Sequence, residues 1–218
     1  MNEYLKVEQS IETAQLNSYP ITQKQKDDLY NRQIEKNQIQ YIVQKYVKRP
    51  ALFNGHKYDF RIYVLITSVI SPMQIFLFND GLVRLASERY DHTKNYDDHF
   101  VHLTNYSLNK NNKDFESSKH KLSLKDVLKG ELTSTSSNGK TYRKHAKQIW
   151  AEIEQIVVKT IFVVQPQLQH LYRTSQAKEP DVCFDLLGFD VMLDHKLKPW
   201  MLEVNHMPSF RADTDIDY

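Results

Sequence analysis

The sequence predicts an α+β fold in which helices flank an antiparallel sheet. Three observations support this prediction. Runs rich in β-branched and aromatic residues follow one another, between short turn signals, from residue 41 to residue 88. Residues 144–172 repeat apolar side chains at helical spacing. Two more apolar runs, "DVCFDLLGFDVML" and "PWMLEVN", then close the chain around the turn "DHKLK". Turns this short join antiparallel neighbours.

Composition places the chain among ordinary globular proteins. Its 218 residues are 40% apolar, and 29 Lys and Arg against 27 Asp and Glu leave a net charge of +2. So small a charge does not argue for a nucleic-acid or membrane partner, and we expect neither. The single cysteine, Cys183, excludes an internal disulfide framework and fits a reducing compartment. Because no signal peptide or membrane span is visible, we expect a cytoplasmic protein.

The first 40 residues differ from the rest. They are polar and rich in Gln and Lys, and Pro20 interrupts them, which predicts one or two solvated helices. The texture changes at "QYIVQKYV", where Tyr41 to Val47 reads as a strand. We therefore predict a divergent helical extension over residues 1–40 and a second domain over residues 41–218.

The next segment predicts an antiparallel meander. "YDFRIYVLITSVI", "QIFLFN" and "LVRLASE" read as three strands, and "NDG" between the last two is an Asp-Gly hairpin signal. In the first of these strands Asp59, Arg61 and Tyr63 share one parity, so they share one face. A solvated surface is the simplest interpretation of that face, and a functional one stays open.

The middle of the chain is more polar. "HFVHLTNYSLNK" is a short polar segment, and "ESSKHKLSLKDVLKGELTSTSSNGKT" predicts a short helix followed by a Ser/Thr-rich loop. Lys144 to Tyr172 then predicts a long helix that Pro166 kinks or restarts.

The two closing strands carry polar side chains that an apolar run does not need. Asp190 lies inside the first strand, and Glu203 and Asn205 lie at i, i+2 on the second. If the turn centres on residues 195–198, both carboxylates face the same side of the hairpin. Few, oxygen-only ligands suit Mg²⁺, which completes its shell with water and phosphate oxygens. Strand-end charges held by Lys or Arg are the alternative, and spacing does not decide between them.

Five ordered blocks carry a resemblance to a known family: "YIVQKYV", "HKYDFRIYVLITS", "IFLFNDGLVRLASERY", "HLTNYSLNK" and "CFDLLGFDVMLDHKLKPWMLEVNHMPSF". Together they resemble the tubulin-tyrosine-ligase-like family of ATP-grasp amino-acid ligases, from about residue 41 to 211. "EVNHMPSF" is similar to the polyglutamylase branch. The resemblance implies an ATP-grasp-like carboxy-terminal lobe. It also implies a ligase that phosphorylates a protein carboxylate with ATP and lets the amine of an amino acid attack the acylphosphate.

The resemblance also implies a role for individual residues. The metal ligands would be Asp190, Glu203 and Asn205, and the catalytic residues Arg61 and Glu203. Nucleotide contacts would come from Gln44, Lys45, Tyr46, Val47, Lys57, Asp59, Thr104 and Asn105. The amino-acid pocket would consist of Arg84, Tyr106, Ser107, Lys119 and His206, with Lys121 as a second choice for the lysine. A guanidinium such as that of Arg84 grips a carboxylate bidentately.

The implied cofactors are ATP and Mg²⁺, and the implied partners are free L-glutamate and the acidic tails of tubulin or microtubules. The family's phosphate-binding lobe, with its lysines and glycine-rich loop, has no counterpart in residues 1–40, which contain no Gly. We therefore expect a partial catalytic domain of a cytoskeletal or ciliary glutamate ligase. A non-catalytic remnant that binds tubulin or another partner is the alternative.

Overall fold

The computed structural model describes residues 44–70, 72–91, 93, 96–113, 115–136, 139–175 and 183–209. The chain divides into two compact units, Met1–Tyr46 and Val47–Tyr218. The extension predicted for residues 1–40 lies outside the described residues. The strand predicted over Tyr41 to Val47 is not present in its described part, because residues 44–47 form no helix or strand. Favourable β-propensity does not make a strand without a neighbour to pair with.

A mixed set of strands and helices forms the second unit, and the strands pair antiparallel. The strands are β1 (Leu52–Phe53), β2 (His56–Ser68), β3 (Gln74–Arg89), β4 (Lys121–Ser123), β5 (Glu131–Thr135), β6 (Thr141–His145), β7 (Asp185–Leu193) and β8 (Pro199–His206). Within the described residues the main sheet has the order β4-β3-β2-β7-β8, and β1 also pairs with β2. The predicted α+β class is confirmed.

The hairpin predicted at "NDG" is wrong, because β3 runs unbroken through these residues. Ile62 of β2 pairs with Gly81, but Val64 pairs with Leu77, so β3 bulges between these two pairs. Asp80 does not close a turn; its side chain binds the backbone of a distant residue instead. Its Oδ1 accepts hydrogen bonds of 2.8 Å from Gly81 N and 3.0 Å from Lys125 N. A Cβ at Gly81 would collide with the backbone oxygen of Arg61, so the bulge requires glycine there.

The helices are α1 (His99–His102), α2 (Tyr106–Asn109), α3 (Ser117–His120), α4 (Leu124–Val127) and α5 (Ala146–Thr174). The polar segment "HFVHLTNYSLNK" thus contains two single-turn helices. The predicted Ser/Thr-rich loop is instead the β5-β6 hairpin, in which Ser134 pairs with Tyr142. Threonine is β-branched and favours strands, and the turn residue Gly139 has φ of +79°.

The long helix α5 covers the apolar face of the sheet. Its N-cap is His145, whose ring accepts a bond from Lys147 N. The predicted helix is confirmed, but it begins at Ala146 instead of Lys144 and runs through Pro166 without restarting there. One buried core joins helix and sheet: Phe60, Ile62, Val64, Val83, Ile149, Ile153, Val157, Ile161, Phe189 and Val191 are among its members. Each such side chain contributes about 1.5–3 kcal/mol on burial, which holds this face of the sheet against α5.

The β7-β8 hairpin forms as predicted. Asp194 holds its turn: Oδ1 accepts from Lys196 N at 2.8 Å and Lys198 N at 3.1 Å, and Oδ2 accepts from Trp200 Nε1 at 3.1 Å. Leu197 takes a positive φ of 61° to complete the turn. No helix among the described residues is long and apolar enough to cross a membrane.

Candidate active site

The face of the sheet opposite α5 carries a row of charged side chains. Its pairing is defined by the ladder: Asp59 lies opposite Arg84, and Arg61 lies opposite Asp190. Asp190 in turn lies opposite Glu203 on β8, as the sequence predicted. Side chains of ladder partners stand on one face, so residues far apart in sequence meet here. This charged row is not the solvated surface that was the simplest interpretation, because Asp59 and Asp190 are each only 2% exposed.

Asp190 is the centre of the charged row. Arg61 donates to it through Nε at 2.5 Å and Nη2 at 3.0 Å, which is a bidentate pair. Arg84 Nη2 lies 2.9 Å from Asp190 Oδ2. Burial alone would raise the pKa of Asp190, but the hydrogen bonds and charges of the two guanidiniums hold its pKa below the ordinary range. Asp190 is therefore an ionised carboxylate that is almost completely buried.

Arg84 links Asp190 to a second buried carboxylate. It donates Nε to Asp59 Oδ1 at 2.9 Å and Nη2 to Asp59 Oδ2. Burial raises the pKa of Asp59, while Arg84 and the hydroxyl of Thr104 oppose that shift. Both carboxylates and both guanidiniums thus form one alternating chain, in the order Asp59, Arg84, Asp190, Arg61. Its formal charges cancel, which makes the burial tolerable.

Glu203 and Asn205 complete the site from β8. Asn205 Nδ2 lies 3.2 Å from Asp190 Oδ2 and 3.2 Å from Glu203 Oε1, so the three side chains converge on one point. A half-turn of the amide exchanges its nitrogen and oxygen and brings a third oxygen to that point. Within the described residues no group of three His, Cys, Asp or Glu could hold a metal, so the amide is needed as the third donor. Two carboxylates and one amide are hard donors, and this set fits Mg²⁺.

Gly188 makes the seat for the side chain of Arg61. A Cβ at Gly188 would lie 3.0 Å from Arg61 Cδ, 3.3 Å from its Nε and 2.9 Å from Pro208 Cβ. Only a residue without a side chain lets the stem of Arg61 and the segment after β8 approach β7 this closely. No role was predicted for Gly188 from the sequence. An isolated glycine inside an apolar strand, next to a charge, was the available signal.

The loop that follows α1 reaches the charged row, because the side chain of Thr104 hydrogen-bonds with Asp59. Lys57 Nζ donates to His102 O at 2.7 Å, and burial lowers the pKa of Lys57, against the charge of Asp59. Asn109 is fully buried and holds the loop in place by donating to Leu103 O at 2.9 Å. Sequence reasoning missed Asn109.

Asn109 also accepts a 2.8 Å bond from Ser87 N and donates to Asn105 O at 3.0 Å. It thereby fastens the loop to β3. An asparagine four residues after a loop residue can bond back to that residue's carbonyl, which was the signal in "NYSLN". The side chain of Thr104 is buried, whereas Asn105 is exposed.

The structure brings together only some of the residues predicted to form the amino-acid pocket. Lys121 is buried, is the ladder partner of Arg84, and holds its Nζ 5.6 Å from the ring centre of Tyr106. Lys119 is exposed and pairs with Glu116 at 2.7 Å. Two further members lie at the surface: Ser107 and His206. The ring of His206 is 3.9 Å from Asp185 Oδ2.

The remaining predicted residues divide between the two units. Gln44, Lys45 and Tyr46 belong to the first unit, and Val47 begins the second. Gln44 and Lys45 are exposed, while Tyr46 and Val47 are half-buried. Their predicted contact with a nucleotide stays a prediction.

Comparison with known proteins gives the family. The profile described as "Tubulin-tyrosine ligase family" matches residues 13–218. The chain is 42% identical over 193 residues to human "Tubulin polyglutamylase TTLL7", covering 84% of this chain and 21% of the relative. Human "Tubulin polyglutamylase TTLL6" is 42% identical over 180 residues, which is 81% of this chain and 20% of the relative. A "Probable beta-tubulin polyglutamylase" from Tetrahymena thermophila is 41% identical over 181 residues, 81% of this chain and 15% of the relative. The chain thus spans only 15% to 21% of the length of these relatives.

Proposed function

Because this chain belongs to the tubulin-tyrosine ligase family, we propose that it is part of the catalytic domain of an ATP- and Mg²⁺-dependent tubulin glutamate ligase. The observation that supports this most is the convergence of Asp190, Glu203 and Asn205 beside two guanidiniums. The printed names of the relatives support the substrate, since they are called tubulin polyglutamylases. A tubulin substrate makes a cytoskeletal location the natural one, with cilia as a specific case.

The proposed reaction has two steps. First, an acceptor carboxylate oxygen attacks the γ-phosphorus of ATP, ADP leaves, and an acylphosphate forms. Second, the amine of free L-glutamate attacks the acyl carbon, phosphate leaves with the bonding electrons, and the nitrogen gives up a proton. The product is a new amide on the tubulin tail.

The charged row suits the first step. Bound Mg²⁺, held by Asp190, Glu203 and Asn205, would neutralise phosphate charge during phosphoryl transfer. Arg61 stands beside these ligands, and a positioned guanidinium stabilises the charge on transferring phosphoryl oxygens. Lys57 and Asp59, with Thr104 and Asn105 from the loop, are proposed to contact the nucleotide. Gln44, Lys45, Tyr46 and Val47 are proposed to hold the adenine.

For the second step we propose an amino-acid pocket formed by Arg84, Tyr106, Ser107, Lys119 and His206. Two carboxylates on glutamate call for cationic groups on more than one side. The contacts of Arg84 with Asp59 and Asp190 favour a second role for it, in which it holds both carboxylates ionised. The buried position of Lys121 beside Arg84 makes it the other candidate lysine.

The alternative is a protein that keeps the charged row and binds tubulin or another partner but does not catalyse glutamate transfer. It is favoured by the pairing of Asp190 with two guanidiniums, which gives the charged row a structural role of its own. The two functions make different predictions for glutamate transfer but the same prediction for tubulin binding.

Transfer of the segment into a relative tests the proposal. Residues 44–209 would replace the matching segment of human tubulin polyglutamylase TTLL7, and tubulin-tail peptides would be incubated with ATP and glutamate. Mass spectrometry should show added glutamate, and the Glu203→Gln chimera should show none. A soluble, folded chimera that adds no glutamate supports the binding alternative. Preferential addition of glycine would refute the choice of amino acid but keep the ligase chemistry.

A further inference from the structure

One oxygen of the Asp190 carboxylate, Oδ2, is already saturated with donors. Its Oδ1 receives Arg61 Nε at 2.5 Å, and its Oδ2 receives Arg61 Nη2 at 3.0 Å and Arg84 Nη2 at 2.9 Å. Asn205 Nδ2 adds a further contact to Oδ2 at 3.2 Å. A carboxylate oxygen has two lone pairs, so three donors at Oδ2 leave no direction open for a cation. Asn205 gives up its contact when its amide turns its oxygen toward a cation, but the two guanidinium donors still fill both lone pairs of Oδ2. A metal ion that bridges Asp190, Glu203 and Asn205 through this oxygen must therefore displace a guanidinium.

Of the two guanidinium donors, Arg61 has fewer ionic contacts besides Asp190 than Arg84 has. Arg84 keeps a bidentate pair with Asp59 even if it lets go of Asp190. Among the ion pairs of the described residues, Arg61 has only the one with Asp190. The side chain of Arg61 is also the more exposed of the two, 14% against 10%.

The seat at Gly188 lets the guanidinium of Arg61 exchange partners without moving its stem. The Cδ of Arg61 is packed where a Cβ at Gly188 would be only 3.0 Å away. Rotation about the Cγ–Cδ bond leaves Cδ in this seat and carries Nε and the rest of the guanidinium from Asp190 toward the open side of the sheet.

We propose that Arg61 is a resident counter-ion of Asp190, which the divalent cation displaces and thereby redirects to the phosphate groups of the nucleotide. This inference rests on the proposed cation site. It makes Arg61 a competitor of the cation and a partner of the anion. Cation and anion binding are then coupled, and the coupling is reciprocal.

The competition has a consequence that a structural role would not have. Removing Arg61 should tighten the binding of a divalent cation in the absence of nucleotide, because the cation no longer has to displace a guanidinium. If Arg61 merely orders the ligands, its removal should weaken the binding.

Titration with Mn²⁺ alone, followed by electron paramagnetic resonance, tests this on the full chain. We expect Arg61→Met to bind Mn²⁺ about tenfold more tightly than the wild type, within the usual range of site coupling. Arg61→Lys keeps the positive charge but not the bidentate geometry of the guanidinium, so the Mn²⁺ affinity of this variant should lie between those of the wild type and Arg61→Met. Arg89→Met removes an exposed arginine at the end of β3 and should match the wild type. Adding Glu203→Gln to Arg61→Met should abolish the gain.

A second measurement tests whether a bound anion changes the affinity for Mn²⁺. Inorganic phosphate should tighten Mn²⁺ binding to the wild type by engaging Arg61, and should have no such effect on Arg61→Met. Equal or weaker Mn²⁺ binding by both Arg61 variants, with circular dichroism unchanged, would overturn the inference and leave the cation site standing. Absence of Mn²⁺ binding from the wild type and from Arg61→Met alike would overturn the cation site as well.

Discussion

Replacing Asp190 with Asn removes one charge from the middle of the charged row and changes little else in shape. The four side chains Asp59, Arg84, Asp190 and Arg61 sum to zero charge, and Asp190→Asn leaves them at +1. Breaking a buried ion pair costs 3–5 kcal/mol, because the partner is left uncompensated. Since Arg61 keeps some access to water, we expect the low end, a loss of about 3 kcal/mol in the free energy of unfolding.

Urea denaturation followed by circular dichroism measures that loss. The double variant Asp190→Asn with Arg61→Met restores neutrality, so it should be more stable than Asp190→Asn alone by roughly 1–2 kcal/mol. The account of the charged row is refuted if Asp190→Asn costs less than about 1 kcal/mol. It is also refuted if the double variant is no more stable than the single one.

Three further predictions concern the same face and its hairpin. The pKa of Asp190 lies below its ordinary 3.8 because the two guanidiniums outweigh burial, so its stabilisation should be complete above about pH 5 and lost as pH falls through the lower folded-state pKa. Acid titration of unfolding checks this, and the acid loss should be smaller in Asp190→Asn. Gly188→Ala should cost about 1–3 kcal/mol by overpacking, and less when combined with Arg61→Ala, whereas strictly additive effects would contradict the seat. Asp194→Ala should lower the free energy of unfolding by about 1–2 kcal/mol, because the hydrogen bonds that hold the turn are lost. The control Asp126→Ala removes an exposed carboxylate and should change it by near zero. Equal urea midpoints for the two variants would contradict the role of Asp194 in the turn.

The closing hairpin was predictable from two apolar runs around a short turn, but its register was not fixed by counting alone. Counting from the pair Leu193 and Pro199 would place Asp190 opposite Leu202, and a register shift between Asp190 and Val191 instead brings Asp190 opposite Glu203 and Gly188 opposite Asn205. Parity placed Asp59 and Arg61 on one face. The sequence could not show that this face is buried, because that depends on which strands stand on either side of β2.

Arg84 shows where sequence reasoning ends. The resemblance implied a substrate clamp for the Arg84 guanidinium of "GLVRLASE", but its contacts depend on how β3 pairs with β2. That pairing is interrupted by the bulge at Gly81, which was interpreted as a hairpin. The aspartate of "NDG" bonds to Ser123 and Lys125 N instead of closing a turn, a tertiary contact that no local propensity contains. Lys119 and Lys121 differ in burial because Lys121 lies on β4 and pairs with Arg84, whereas Lys119 lies on α3.

The central claim, that the charged row is a magnesium–nucleotide site, is tested most directly by calorimetry with a non-hydrolysable ATP analogue on the full chain. We predict binding that requires Mg²⁺ and that Glu203→Gln abolishes, while Arg89→Met binds like the wild type. Binding of the analogue that is the same with and without Mg²⁺, or the same in Glu203→Gln, would contradict the claim.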